Sequence, residues 1–121
     1  MAQGEYKTLG DFLRAKASNL FTRLEAELAL DGTPAKQIAA KMTALEATML
    51  AKRIAELKPS EWEDGALGAR KLMGALEAER FCSAEDKAQF RDILSAVAEN
   101  ASASALLLRY CLMFEEAVNS N

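Results

Sequence analysis

An all-α bundle is the expectation from three features of this 121-residue chain. Alanine and leucine dominate it, the stiff aliphatic residues that strands favour are confined to Ile38, Ile54, Ile93, Val97 and Val118, and apolar side chains recur every three or four residues from Leu9 to Val118. Small and straight-chain residues lose little freedom in a helix, whereas β-branched ones lose χ1 freedom there, so nearly every segment favours helix. A chain of this length buries roughly two-thirds of the surface its unfolded form exposes, enough for one core. We therefore expect a single domain over 1–121, built from four to five mostly antiparallel helices behind a flexible tail at 1–7.

The first helix is predicted over 8–30. Leu9, Leu13, Ala17, Leu20, Leu24 and Leu28 share one face, and Phe12 and Phe21 widen it enough to pack against more than one neighbour. Asp31-Gly32 supplies a stop, Thr33 an N-cap, and Pro34 a first helical residue whose missing N–H costs nothing. A second, unbroken helix is predicted over 34–57. It would be ~36 Å long, with Ile38, Met42, Leu45 and Met49 inward, followed by Leu50, Ile54 and Leu57. Lys58-Pro59 ends it, because the residue before proline is pushed out of the helical region. Ser60 and Glu63 then have the spacing of a capping box.

Gly65, Gly68 and Gly74 weaken a third helix, predicted over 66–80, by up to ~1 kcal/mol each relative to alanine. Ala69, Leu72, Met73 and Leu76 would face inward, and the glycine flank would admit a neighbouring backbone. The fourth helix is announced by Ser83 as cap and by Glu85 and Asp86 in a first turn where negative charge complements the dipole. Its inward residues are Phe90, Ile93, Leu94 and Val97. Residues 100–104 read as a turn, since asparagine and serine side chains compete with a helix for backbone partners. That leaves a final helix over 106–118.

What the chain lacks narrows its chemistry. Without histidine there is no Ser-His or Cys-His nucleophilic pair and no imidazole ligand for zinc or haem. The paired carboxylates, such as Glu25 with Glu27 and Glu115 with Glu116, lie one or two residues apart and so point to different helix faces. The glycines lack the lysine-containing ending of a phosphate loop. Cys82 and Cys111 are too few for a disulfide framework and are read as free thiols; Cys82, after Arg80 and before a helix start, is the one with an argument for reactivity. No catalytic, cofactor-binding or metal-ligating residue is assigned, no small-molecule substrate is inferred, and the chain is not expected to be an enzyme. A net charge of −3, no apolar run near the ~20 residues of a membrane span and no signal-like start point to a soluble cytoplasmic protein.

Two readings of function remain. The final helix is apolar nearly all round, so it is either central to its bundle or buried by another chain; in the second case Leu107, Leu108, Met113 and Phe114, with Trp62, which otherwise reads as a plug between helices two and three, are candidates for binding a protein partner or a second copy. On that reading the chain is a protein-interaction module: an adaptor, small chaperone, inhibitor or complex subunit. The alternative is a small DNA-binding regulator that uses Lys36, Lys41, Lys52 and Arg53 on the basic flank of the 34–57 helix. Residues 37–42 look like the first half of a helix-turn-helix, but Thr43-Ala44-Leu45 stands where a glycine turn should break the helix.

Overall fold

Side chains at the helix starts decide where the chain turns. The computed structural model describes residues 8–30, 35–80 and 83–120, which form α1 (Leu9–Glu27), α2 (Ala35–Lys41), α3 (Ala44–Glu56), α4 (Gly65–Ala78), α5 (Ala84–Ala98) and α6 (Ala101–Asn119). A 3-10 turn, Pro59–Glu61, joins α3 to α4, and no strand occurs among the described residues. Thr8, Thr43, Asp64, Ser83 and Asn100 each accept a hydrogen bond from the amide three residues on, at 2.9–3.1 Å, satisfying an amide that the first turn leaves without a partner.

The all-α class stands, with six helices among the described residues in place of four to five. The extra one comes from a break in the predicted 34–57 helix. Thr43 adopts extended backbone (ψ 162°), its hydroxyl accepts from the Glu46 amide, and the Glu46 carboxylate accepts from the Thr43 amide at 2.9 Å. This reciprocal capping box starts a new helix in a new direction. Arg14 Nη1 donates to the Met42 carbonyl at 3.3 Å, satisfying an acceptor released by the end of α2. The inward face is reset as a result: α3 buries Ala47, Leu50, Ala51 and Ile54, while Leu45 and Met49 face outward.

Two further boundaries differ from expectation. Asp64, not Ser60, caps α4, and the Ser60 hydroxyl instead donates to Glu115 on α6 at 3.2 Å. Residues 101–104 are helical, and the turn shrinks to Glu99 and Asn100, because Asn100 caps α6 directly. Lys58 does leave the helical region ahead of Pro59, with φ 55°. The predicted stop at Asp31-Gly32, the cap at Thr33, Pro34, Cys82 and the tail at 1–7 lie outside the described residues.

The helices stack around α6, which packs on α1, α3, α4, α5 and the 3-10 turn. Hydrogen bonds from Arg14 to Met42 and from Ser18 to Lys36 set α2 antiparallel to α1. Bonds from Arg91 to Glu77 and from Ser95 to Met73 set α5 antiparallel to α4. Tyr110, hydrogen-bonded to Asn19 and Arg23, and Phe114, which shares a small cavity with Leu13 and Ala17, set α6 antiparallel to α1, whereas α1 and α3 run in a common sense from a close meeting of Gly10 with Ala44 to the Ala47 and Ala51 side of that cavity. At the opposite end, Gly65 lies so close to the α6 backbone that a Cβ there would sit 1.9 Å from the Ser104 carbonyl oxygen. No helix among the described residues is long and apolar enough to cross a membrane.

The two glycines of α4 therefore have opposite tolerances. Gly65→Ala should lower unfolding free energy by about 1–3 kcal/mol, because the α4–α6 crossing must widen. Gly74→Ala, whose added Cβ meets nothing within 4 Å, should leave stability unchanged or raise it by up to ~1 kcal/mol. Urea unfolding followed by circular dichroism measures both.

Candidate functional site

The interior takes three of the five predicted partner-binding residues. Leu107 and Phe114 lie in the core, and Trp62 is buried with its ring against Gly68, where a Cβ would come within 2.0 Å. Trp62 Nε1 donates to the Leu57 carbonyl at 3.0 Å, so the indole plugs the corner between α3 and α4 and satisfies its one donor there. Leu108 and Met113 are half-buried. The apolar breadth of α6 reflects its central position: a helix with neighbours on several sides needs apolar residues on several sides.

The exposed apolar surface lies elsewhere. Leu45 is 70% exposed and Met49 45%, one turn apart on the side of α3 that faces away from its buried Ala47, Leu50, Ala51 and Ile54. Lys52 and Glu56 continue the same outward stripe. Leu67 on α4 and Leu112 on α6 are exposed singly. The sequence reading missed the α3 face by carrying one helical period through Thr43; the signal for it was Thr43-x-x-Glu46, the spacing of a capping box.

The basic residues do not merge into one face. Residues 35–58 carry five basic side chains against Glu46 and Glu56, but α2 and α3 diverge from the break and pack on α1 with almost no contact between them. Lys36 and Lys41 are exposed on α2 and Lys52 on α3. Lys41 shares a cleft of about 100 Å³ with Ile38, Met42, Glu46 and Asp86. Arg53 Nε lies 3.0 Å from Glu79 Oε1, an ion pair whose geometry falls short of a hydrogen bond and which leaves Arg53 about half exposed. The chain does break where a helix-turn-helix would, yet the two helices do not brace each other as that motif requires.

Other polar groups in the interior serve the fold. The Tyr110 hydroxyl donates to Asn19 Oδ1 and accepts from Arg23 Nη1 at 3.2 Å, with the guanidinium 5.8 Å from the ring centroid. Ser104 Oγ donates to the Val97 carbonyl at 2.6 Å, closing the α5–α6 turn. Glu25 Oε2 and Gln89 Oε1 are buried acceptors without a hydrogen-bond partner. Among the described residues no group of three or more histidine, cysteine, aspartate or glutamate side chains could hold a metal ion.

Burial pushes the Cys111 thiol up to about 12 from an ordinary value of 9.0. The thiolate is the nucleophilic form, so this thiol is a packing residue in the folded chain. No protein-family model, curated protein or solved structure matches this chain.

Two outcomes follow for Cys111. Its alkylation at neutral pH should proceed only as fast as the chain unfolds, which site-resolved mass spectrometry reads apart from Cys82. Because its proton is held more tightly in the folded state than in the unfolded one, the stability linked to it is complete below about pH 9 and is lost as the pH rises towards 12. Cys111→Ala should flatten that alkaline decline in a pH series of urea melts.

Proposed function

We propose that the chain is a non-enzymatic protein-interaction module, an adaptor, small chaperone, inhibitor or complex subunit, that presents the outer face of α3 to a partner protein. The observation that carries this reading is Leu45, 70% exposed, one turn from Met49, 45% exposed, on a helix whose other side is already filled. Burying a leucine or methionine side chain is worth ~1.5–3 kcal/mol, and the fold leaves most of that unused at Leu45 and a little under half at Met49. An i, i+4 apolar pair is the spacing by which helices dock into grooves or receive other helices, and methionine adapts to an irregular surface. The free thiol of Cys111 suits a reducing compartment, so we place the module in the cytoplasm.

The same face argues against the nucleic-acid reading. Phosphate contacts need several unopposed basic groups along one surface, whereas Lys41 sits with two carboxylates and Arg53 with Glu79. The outward stripe of α3 begins with leucine and methionine.

Native co-purification followed by mass measurement tests the proposal. The wild-type chain should retain a partner, and Leu45→Asp with Met49→Asp should weaken retention at least ~30-fold, the equivalent of ~2 kcal/mol, while far-UV circular dichroism stays unchanged. Retention unaffected by the double variant would overturn the reading. So would salt-sensitive DNA binding that Lys41→Glu with Lys52→Glu abolishes.

A further inference from the structure

We propose that the outer face of α4 is a self-association surface on which a second copy of this chain crosses antiparallel at Gly74. This surface is distinct from the α3 face and leaves it open.

The buried side of α4 carries Gly65, Gly68, Ala69, Leu72 and Leu76. Leu67, Arg70, Lys71, Gly74, Glu77 and Ala78 are all exposed. At 3.6 residues per turn, Leu67 and Gly74 fall within about 20° of one line along the helix, with Arg70 and Glu77 on one flank of it and Lys71 and Ala78 on the other. Gly65 and Gly68 each face a group in the chain that excludes a side chain, but a Cβ at Gly74 would meet nothing within 4 Å. A glycine inside a helix costs ~1 kcal/mol relative to alanine, and no contact within the chain offsets it. Its open backbone, with Ala78 one turn on, lets a second helix approach closely.

The charges on this face choose the occupant. A twofold axis through Gly74 returns each flank of the stripe to the same flank of the second copy. It brings residues equally far before and after Gly74 to one level. Arg70 stands four positions before it and Glu77 three after, so Arg70 of either copy lies within about one residue, ~1.5 Å along the axis, of Glu77 in the other. Two symmetric ion pairs result, as a closed isologous contact requires. Among the described residues Arg70 has no ion pair, while Glu77 receives both Arg91 contacts on Oε1 and keeps Oε2 for another donor. The two Arg70 residues are eight positions apart, ~12 Å, about a Debye length. On the other flank the methylene stem of Lys71 runs over Ala78 of the second copy, and Leu67 extends the contact with apolar surface. A single helix crossing buries less than the ~800 Å² per partner of a standard interface, so the expected association is weak, in the range of ~10 μM to ~1 mM.

Multi-angle light scattering of the full chain across that concentration range tests the proposal. The apparent mass should rise from 13.2 kDa towards twice that value, and the rise should weaken at high salt. Gly74→Leu, whose Cβ has nothing within 4 Å in the monomer, should stay monomeric with its helix content intact. Arg70→Glu should weaken association at least ~10-fold by setting like charges together. Leu45→Asp with Met49→Asp should dimerise as the wild type does, so failure of the α3 reading and failure of this one give different results. A wild-type mass fixed at 13.2 kDa up to ~1 mM, association by Gly74→Leu at wild-type strength, or loss of association in the α3 variant would each overturn it.

Discussion

Two hydrogen bonds between Thr43 and Glu46 fix the layout of the molecule. Without them the apolar spacing from Ile38 to Leu57 would continue as one rod along α1. With them the backbone at Thr43 is extended, α2 ends against the Arg14 guanidinium, and α3 leaves from the meeting of Gly10 with Ala44 in the same sense as α1. A capping substitution is worth ~1 kcal/mol, a small local term. Its leverage comes from position, because it decides which side of the next 13 residues faces the core. The exposed leucine and methionine, the separation of Lys41 from Lys52 and the pairing of Arg53 with Glu79 all descend from that change of direction.

Small residues then determine how tightly the layers close. Glycines at the α1–α3 and α4–α6 meetings remove the side chains that would hold the backbones apart, and buried alanines at positions 17, 39, 47, 51, 69 and 103 continue the same economy of volume. Large side chains fill what remains: Phe21 tilts against Phe90 with centroids 4.9 Å apart, and Trp62 closes the α3–α4 corner. Polar atoms are admitted where a partner exists, as at Ser104 and Tyr110, with Glu25 and Gln89 as the exceptions.

Much of this arrangement was legible in the residues. The helical class followed from composition, Ser83 marked the start of α5, Phe90, Ile93, Leu94 and Val97 were read on its buried side, and Lys58-Pro59 marked the end of α3. The break at Thr43 was hidden because the steps of four, three and four from Ile38 to Met49 match a single helix. Hydrophobic periodicity cannot separate one helix from two when apolar residues keep helical spacing across the break, whereas a hydroxyl and a carboxylate three residues apart can. The exposed apolar face lies on α3 and not on α6 for a related reason. Apolar breadth on α6 has the same appearance in sequence whether a helix is surrounded by its own chain or by another; only the number of neighbours tells them apart. In sequence Gly74 looks like Gly65 and Gly68; only the fold makes two of the three occupied and one open.

The central place of α6 also bears on biosynthesis. A ribosome delivers α1 to α5 first, at ~5–20 residues per second, and during that interval the positions later taken by Leu107, Cys111 and Phe114 are vacant, with the apolar sides of four earlier helices open to water. The nascent chain can hold local hairpins such as α4–α5, but its core closes only after Asn119 has emerged. Closure of this bundle therefore waits on α6, the last of its helices to be made, and until then holdase chaperones meet its open apolar faces.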